Sequence, residues 1–226
     1  MRGALIFGPL FLFFWTFNKS WMQKYRVEPP PGEVARPRRE ALLTAITFLI
    51  YSLAALPVIF VQQRTDYTMM YTDVSKYGWL YTIFSFFIFL FYIDTTFYWS
   101  HLLMHKTRIG QHVHKTHHKF INVTPFASYA FHLGEATLDA LAFMSMTLLI
   151  PWHPAILFIF IFFQVFYNGM IHLGYDFFPK TWRRHTLLKW LNTTSHHIYH
   201  HQGSEANYSF FFTFWDKLMK TEKLPK

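Results

Sequence analysis

Residues 79–118, WLYTIFSFFIFLFYIDTTFYWSHLLMHKTRIGQHVHKTHH, decide how this chain is read. The stretch from Trp79 to Ser100 carries one charge, Asp94, and about 20 apolar residues are enough to take a helix across a bilayer. A spanning helix is therefore expected over Trp79–Ser100. Just past it stand His101 and His105, then His114, His117 and His118. Residues three and four apart share one helix face, with Cβ atoms roughly 5–6 Å apart, so each cluster aims its imidazoles at one point. A third cluster, His197, His200 and His201 with His196 beside it, repeats the spacing. Neutral imidazole is the commonest metal ligand, and eight such rings exceed what one ion can use, so two ions are expected. A loosely titrating surface tract would not reproduce helical registers at three separate places.

Working outward, the 226 residues are 52% hydrophobic and 22% aromatic but only 15% charged, too apolar for an ordinary soluble domain of this length. The net charge of +9 does not indicate nucleic acid. Its basic residues flank apolar segments without forming an aromatic-interleaved face, and anionic headgroups account for them better. With no cysteine, the chain has no disulfide framework, no thiolate metal site and no iron–sulfur cluster. Any metal must be held by nitrogen and oxygen.

A second span is expected over Ala41–Val61, which carries no charge. Gly3–Phe17 is apolar but short and lacks a cleavage pattern, so it reads as an anchoring or short spanning helix. The apolar block Leu138–Tyr167 is broken at Pro151-Trp152-His153-Pro154. It predicts a hairpin with short arms that either enters and returns or crosses twice. Val27–Gly32, with three consecutive prolines, reads as a stiff extended connector. The 18–40 connection carries Lys19, Lys24, Arg26, Arg36, Arg38 and Arg39, whereas 62–78 carries only Arg64 and Lys76, which predicts a cytoplasmic face for the former. Counting crossings then places all three histidine clusters on that cytoplasmic side. No repeat or second domain is apparent: 1–93 reads as mostly anchor helices and 94–221 as the chemistry-bearing region. The expected fold is all-α, integral to the membrane, with about four spanning helices or hairpin arms beneath a cytoplasmic helical cap.

Two isolated histidines extend the candidate ligand set: His132, three residues before Glu135, and His172, which follows the last apolar arm. His112, His153 and His185 rank as bystanders, since His112 faces away from His114 and the others lie in a turn and a basic stretch. Asp94 is the one ionisable group within the Trp79 span, a functional candidate by its depth. Seven residues before His101 on the same face, it either accepts a hydrogen bond from a ligand imidazole, or bonds nearby Thr and Tyr hydroxyls.

These residues resemble the fatty acid hydroxylase and sterol desaturase superfamily, whose His-x3-His and twice-repeated His-x2-His-His pattern appears here in order. The resemblance covers roughly Asp94 to Thr221 and includes Tyr98-Trp99-Ser100-His101, His114-Lys115-Thr116-His117-His118, Asn207-Tyr208 and Phe214-Trp215-Asp216-Lys217. Within it, Thr124-Pro125-Phe126-Ala127-Ser128 is similar to sterol C5-desaturases, whereas His172-Leu173-Gly174-Tyr175-Asp176 resembles C4-methylsterol oxidases and cholesterol 25-hydroxylase. Leu102, Ser209 and Lys220 depart from the usual residues, and Asp176 stands where fatty acid 2-hydroxylases carry a further histidine.

The resemblance implies a non-haem di-iron oxygenase that hydroxylates or desaturates a sterol-like or fatty-acyl lipid with O2. Zinc could occupy the same nitrogens but has no redox chemistry. The implied grouping gives one ion His101, His114, His117, His172 and His197, and the other His105, His118, His132, His200 and His201, with His196 as a further candidate. Electrons are expected from a separate cytochrome b5 or ferredoxin with an NAD(P)H reductase, since no dinucleotide fingerprint or haem motif is present. Lys217, Lys220, Lys223 and Lys226 would either meet an acidic donor or form a plain solvated tail. The expected location is the endoplasmic reticulum or a bacterial inner membrane. A membrane metal transporter and a catalytically idle lipid-binding homologue are the alternatives; transporters place polar ligands inside their spans, whereas here the clusters lie beyond them.

Overall fold

The computed structural model describes residues 7–10, 12–13, 20–27, 37–65, 67, 69–120, 124–203 and 205–223, with only the backbone described at Pro37, Lys180 and Arg183. Most of the expected Gly3–Phe17 helix and of the Val27–Gly32 connector lies outside these residues; of the former, residues 7–10 are helical. The fold is all-α. Among the described residues no strand forms, and only three isolated bridges occur, Arg26–Tyr175, Met70–Trp152 and Leu191–Phe212.

Helix α1 (Pro37–Arg64) and helix α2 (Gly78–Lys106) contain the two expected spans and extend beyond them. Their long apolar side chains point outward: Leu49, Leu53, Leu56 and Phe60 on α1, and Leu80, Ile83, Phe84 and Phe87 on α2, are more than half exposed. Such a belt is stable only against lipid. Buried faces of α2 meet helices α4 (Leu133–Leu149) and α5 (Pro154–Ile171) in a core of Phe89, Leu90, Ile93, Met146 and Phe160. α1, α2 and α5 are each long and apolar enough to cross a membrane.

The hairpin break falls where the prolines predict it, but its arms are helices of 17 and 18 residues, longer than the apolar block alone. α4 begins earlier because Glu135 and Asp139 turn inward, and α5 runs on through Asn168-Gly169. Its turn is fixed at the far end of α2: the Tyr71 N–H donates to the Trp152 carbonyl (3.0 Å), the Trp152 N–H to the Met69 carbonyl (3.0 Å), and the Tyr81 hydroxyl to the Pro151 carbonyl (2.9 Å). At 1.5 Å per residue, Tyr81 and His101 lie about 30 Å apart along α2, about the thickness of a bilayer's hydrocarbon core.

What positions the site is the joint between α2 and helix α3 (Arg108–His118). Thr107 alone separates them. Its hydroxyl donates to the Leu103 carbonyl (3.0 Å) and accepts from the Gly110 N–H (3.1 Å), capping both helices. The chain then folds back so tightly that a Cβ on Gly110 would lie 2.4 Å from the Met104 Cα. Only glycine permits this approach. Helix α6 (Thr194–His201), a strap over 205–213 and helix α7 (Phe214–Leu218) complete the cap.

Candidate metal centre

Nine of the ten expected ligand histidines converge at this end of the bundle, in two neighbouring groups. His101 and His105 from α2, His114 and His118 from α3 and His200 from α6 form the first; His117 from α3, His172 beyond α5, and His197 and His201 from α6 form the second. In each, one nitrogen per ring lies within 4.8 Å of all the others. Two nitrogens about 2.1 Å from one ion stand at most about 4.2 Å apart, so both groups are only slightly wider than a closed coordination sphere. The His118 and His201 rings stack at 4.8 Å between centroids, so the groups share a wall.

The hydrogen bonds behind the rings fix their tautomers. The Nδ1–H of His101 donates to the Tyr208 carbonyl (2.8 Å), that of His172 to the Asn168 carbonyl (2.8 Å) and that of His200 to the Ala206 carbonyl (2.7 Å). A carbonyl only accepts, so in these rings Nε2 is left with a bare lone pair. His114 turns its Nδ1 to the Glu135 carboxylate at 2.7 Å, a carboxylate–histidine arrangement typical behind metal ligands. Yet the Nε2 atoms face one another: His101–His114 at 3.0 Å, His114–His118 at 2.9 Å, His118–His200 at 3.1 Å and His172–His197 at 2.8 Å. Converging lone pairs repel unless a cation lies between them. The residues fit two metal ions of the kind that accept imidazole.

Burial favours the same state. It holds His114 down to about 3 and His172 to about 4, against an ordinary value of 6.5. His117, His197, His200 and His201 are also lowered by burial, helped by neighbouring imidazoles. Every one is neutral, and so able to coordinate, at physiological pH.

Three expectations need correction. His132 belongs to neither group: it caps α4, its Nδ1 accepting from the Gly134 N–H at 3.1 Å, which turns the ring into the helix terminus. The carboxylate three residues on, Glu135, is the group that faces the site. The implied division of ligands also differs, because α3 folds back along the end of α2 across the Thr107 joint and keeps His101, His105, His114 and His118 together. Asp94 touches no imidazole. Seven residues span about 10 Å along a helix, beyond its reach to His101. One of its oxygens instead accepts the N–H groups of Phe210 (3.1 Å), Phe211 (2.6 Å) and Phe212 (3.1 Å). Asp216 holds the preceding residues, accepting from the N–H of Tyr208 (2.9 Å) and Ser209 (3.0 Å). The two carboxylates therefore fix the strap whose carbonyls orient His101 and His200.

His196 is buried on the opposite side of α6, 3.0 Å from the Thr193 hydroxyl and 3.6 Å from Glu222, and joins neither group. His112, His153 and His185 also lie outside both. Sequence reasoning missed the roles of Glu135 and Asp216. For Glu135 a signal existed, a lone carboxylate in the first turn of an apolar helix.

An all-α membrane bundle that closes one end with nine convergent imidazoles defines an integral-membrane histidine-box protein. The family model described as "Fatty acid hydroxylase" matches residues 86–221, more than half of the chain, and the chain belongs to that family. It is 31% identical over 170 residues to the "Lathosterol oxidase" of Rattus norvegicus, covering 74% of this chain and 55% of that protein. To a "Delta(7)-sterol 5(6)-desaturase" of Gibberella zeae it is 30% identical over 177 residues, 78% and 53% of the respective chains. A "Delta(7)-sterol 5(6)-desaturase" of Aspergillus fumigatus is 28% identical over 240 residues, 96% and 72%. The chain thus spans about half the length of the first two relatives. No solved structure matches.

Proposed function

We propose that the chain is a membrane-bound non-haem di-iron oxidoreductase that desaturates or hydroxylates a lipid, with a sterol as the favoured substrate. The observation that carries this reading is the set of inward-facing Nε2 lone pairs at the end of a lipid-coated bundle. The names of the relatives, a lathosterol oxidase and sterol 5(6)-desaturases, supply the substrate class and favour desaturation. Residues 94–221 would carry the catalysis and 1–93 mainly the anchoring.

In this reading His101, His105, His114, His118 and His200 hold one iron and His117, His172, His197 and His201 the other. Bound iron would supply the O2 chemistry that these side chains cannot perform by themselves. Overall, a desaturation removes two hydrogens from adjacent carbons of the lipid. O2 takes those two electrons and two more from an external donor, with two further protons, to leave two waters. Glu135 holds the His114 tautomer, while Asp94 and Asp216 keep the strap carbonyls against His101 and His200. Phe97, one turn before His101 on α2 and 5.0 Å from its ring, borders the first group on the bilayer side, and Phe131 packs 5.0 Å from the His117 ring. Lipid would approach from that side. The electron donor would be a separate cytochrome b5 or ferredoxin with its reductase, meeting a cytoplasmic site.

The test is the full chain in nanodiscs with a Δ7-sterol, O2 and a reconstituted donor. Conversion of the sterol, with close to two irons per chain, supports the proposal. Protein that holds one ion, or that oxidises neither sterol nor acyl lipid when loaded with two, would overturn it.

A further inference from the structure

Behind α6, on the side away from the nine histidines, lies a cleft of about 700 Å³, within the range of roughly 300–1,000 Å³ common for small-molecule sites. Its floor is Thr193 and His196, both buried, and its walls include Tyr25, Phe178 and Trp182. Around it stand four cations, Lys24, Arg26, Lys189 and Lys217, and two carboxylates, Asp176 and Glu222.

The negative charges are already engaged. Asp176 accepts from the N–H groups of Phe178 and Ser195 (both 3.1 Å) and from the hydroxyls of Thr193 (3.2 Å) and Ser195. Glu222 pairs with Lys217 at 3.2 Å. Lys24, Arg26 and Lys189 meet no carboxylate among the described residues, and Lys24 and Lys189 lie over the rings of Tyr25 (4.8 Å) and Trp190 (5.5 Å). The donors on Asp176 are neutral and leave its charge in place, so the four cations exceed the two carboxylates by two, and a concave rim of net positive charge suits an anion.

The rim also shows where that anion comes from. Two exposed tryptophans border it, Trp21 packed on Tyr25 at 6.4 Å and Trp190 beneath Lys189 and Lys217 at 5.5 and 4.8 Å, the mixture of aromatic and basic residues found at headgroup level. A chain of ring contacts, Trp190 to Phe214 at 6.4 Å and Phe214 to Phe91 at 6.0 Å, carries this surface down the lipid-facing flank of α2. An amphiphile with its head in the cleft would find apolar surface for its tail along Phe214 and Phe91.

We propose that this cleft is a phosphate site that holds the headgroup of a membrane phospholipid, distinct from the substrate of the histidine centre. The occupant would brace the outer face of α6, whose inner face presents His197, His200 and His201.

The test uses the full chain in nanodiscs of phosphatidylcholine containing phosphatidylserine, with retained lipid counted by native mass spectrometry. Wild type should keep about one phospholipid through detergent exchange. The triple variant Lys24→Ala/Arg26→Ala/Lys189→Ala should lose it at least about tenfold more readily. The charge-matched Lys115→Ala/Lys119→Ala/Lys220→Ala should retain it. In a second arm, displacement by millimolar glycerol phosphate assigns recognition to the phosphate group itself; retention against glycerol phosphate, with loss in the triple variant, assigns it to the lipid as a whole. Absence of bound phospholipid from wild type, or equal loss in both triple variants, overturns the proposal. So does unchanged lipid retention combined with lost binding of an acidic redox protein.

Discussion

His114 shows how much one side chain can be asked to do: its Nε2 faces those of His101 and His118, while its Nδ1 is fixed by Glu135. Glu135→Gln preserves shape but removes the carboxylate. Changes to such outer partners typically cost 10–100-fold in metal affinity, so competition with a chelator should show iron lost at correspondingly lower chelator concentrations. His118→Ala and His201→Ala should each remove about one iron per chain and abolish lipid oxidation, read by metal analysis and product assay. His132→Ala should leave iron content unchanged and show only the cost of a lost helix cap, about 1 kcal/mol. At this scale the sequence was informative wherever ligands repeat at three and four along a helix. It was silent where a ring is oriented by a main-chain carbonyl, as at Tyr208 and Ala206, because every residue has one. It misled at His132, since a histidine before a helix reads alike as a cap and as a ligand.

The decisive contacts between elements are those that hold α3 and the strap against α2. Gly110→Ala forces a Cβ into the backbone of Met104, so α3 must swing away. The expected outcome is loss of both irons together, with the helical circular dichroism retained. Asp94→Ala would leave the buried N–H groups of Phe210 and Phe211 and the half-buried one of Phe212 unmet, the buried ones each costing about 1–3 kcal/mol; thermal unfolding in detergent should reveal a loss of at least about 2 kcal/mol. Asp94→Asn, which keeps an accepting oxygen, should be milder. The spans and the hairpin break were legible because apolar length and proline act locally. The strap was not, since Asp94 meets it 116–118 residues away and no local pattern encodes that closure.

For the whole molecule, the buried histidines link stability to pH. Their folded-state values lie below 6.5, so the unfolded chain takes up protons that the folded one refuses. The contribution of these histidines to the stability of the iron-free protein is therefore constant above about 6.5. It should fall as the pH drops, with His172 contributing down to about 4 and His114 down to about 3. Thermal scans of chelator-treated protein should show the melting temperature declining across that window, and iron should offset the decline. Topology is checked separately: a label at Thr65 should report the face opposite one at Ser195.

One consequence extends to the membrane itself. His101 and His105 ride on the same unbroken helix that carries the lipid-facing Leu80, Ile83 and Phe84. A helix in a bilayer thinner or thicker than its apolar length tilts to compensate. Tilting α2 would displace two imidazoles relative to those on α3 and α6, making the thickness of the host membrane a tuning parameter for the histidine site.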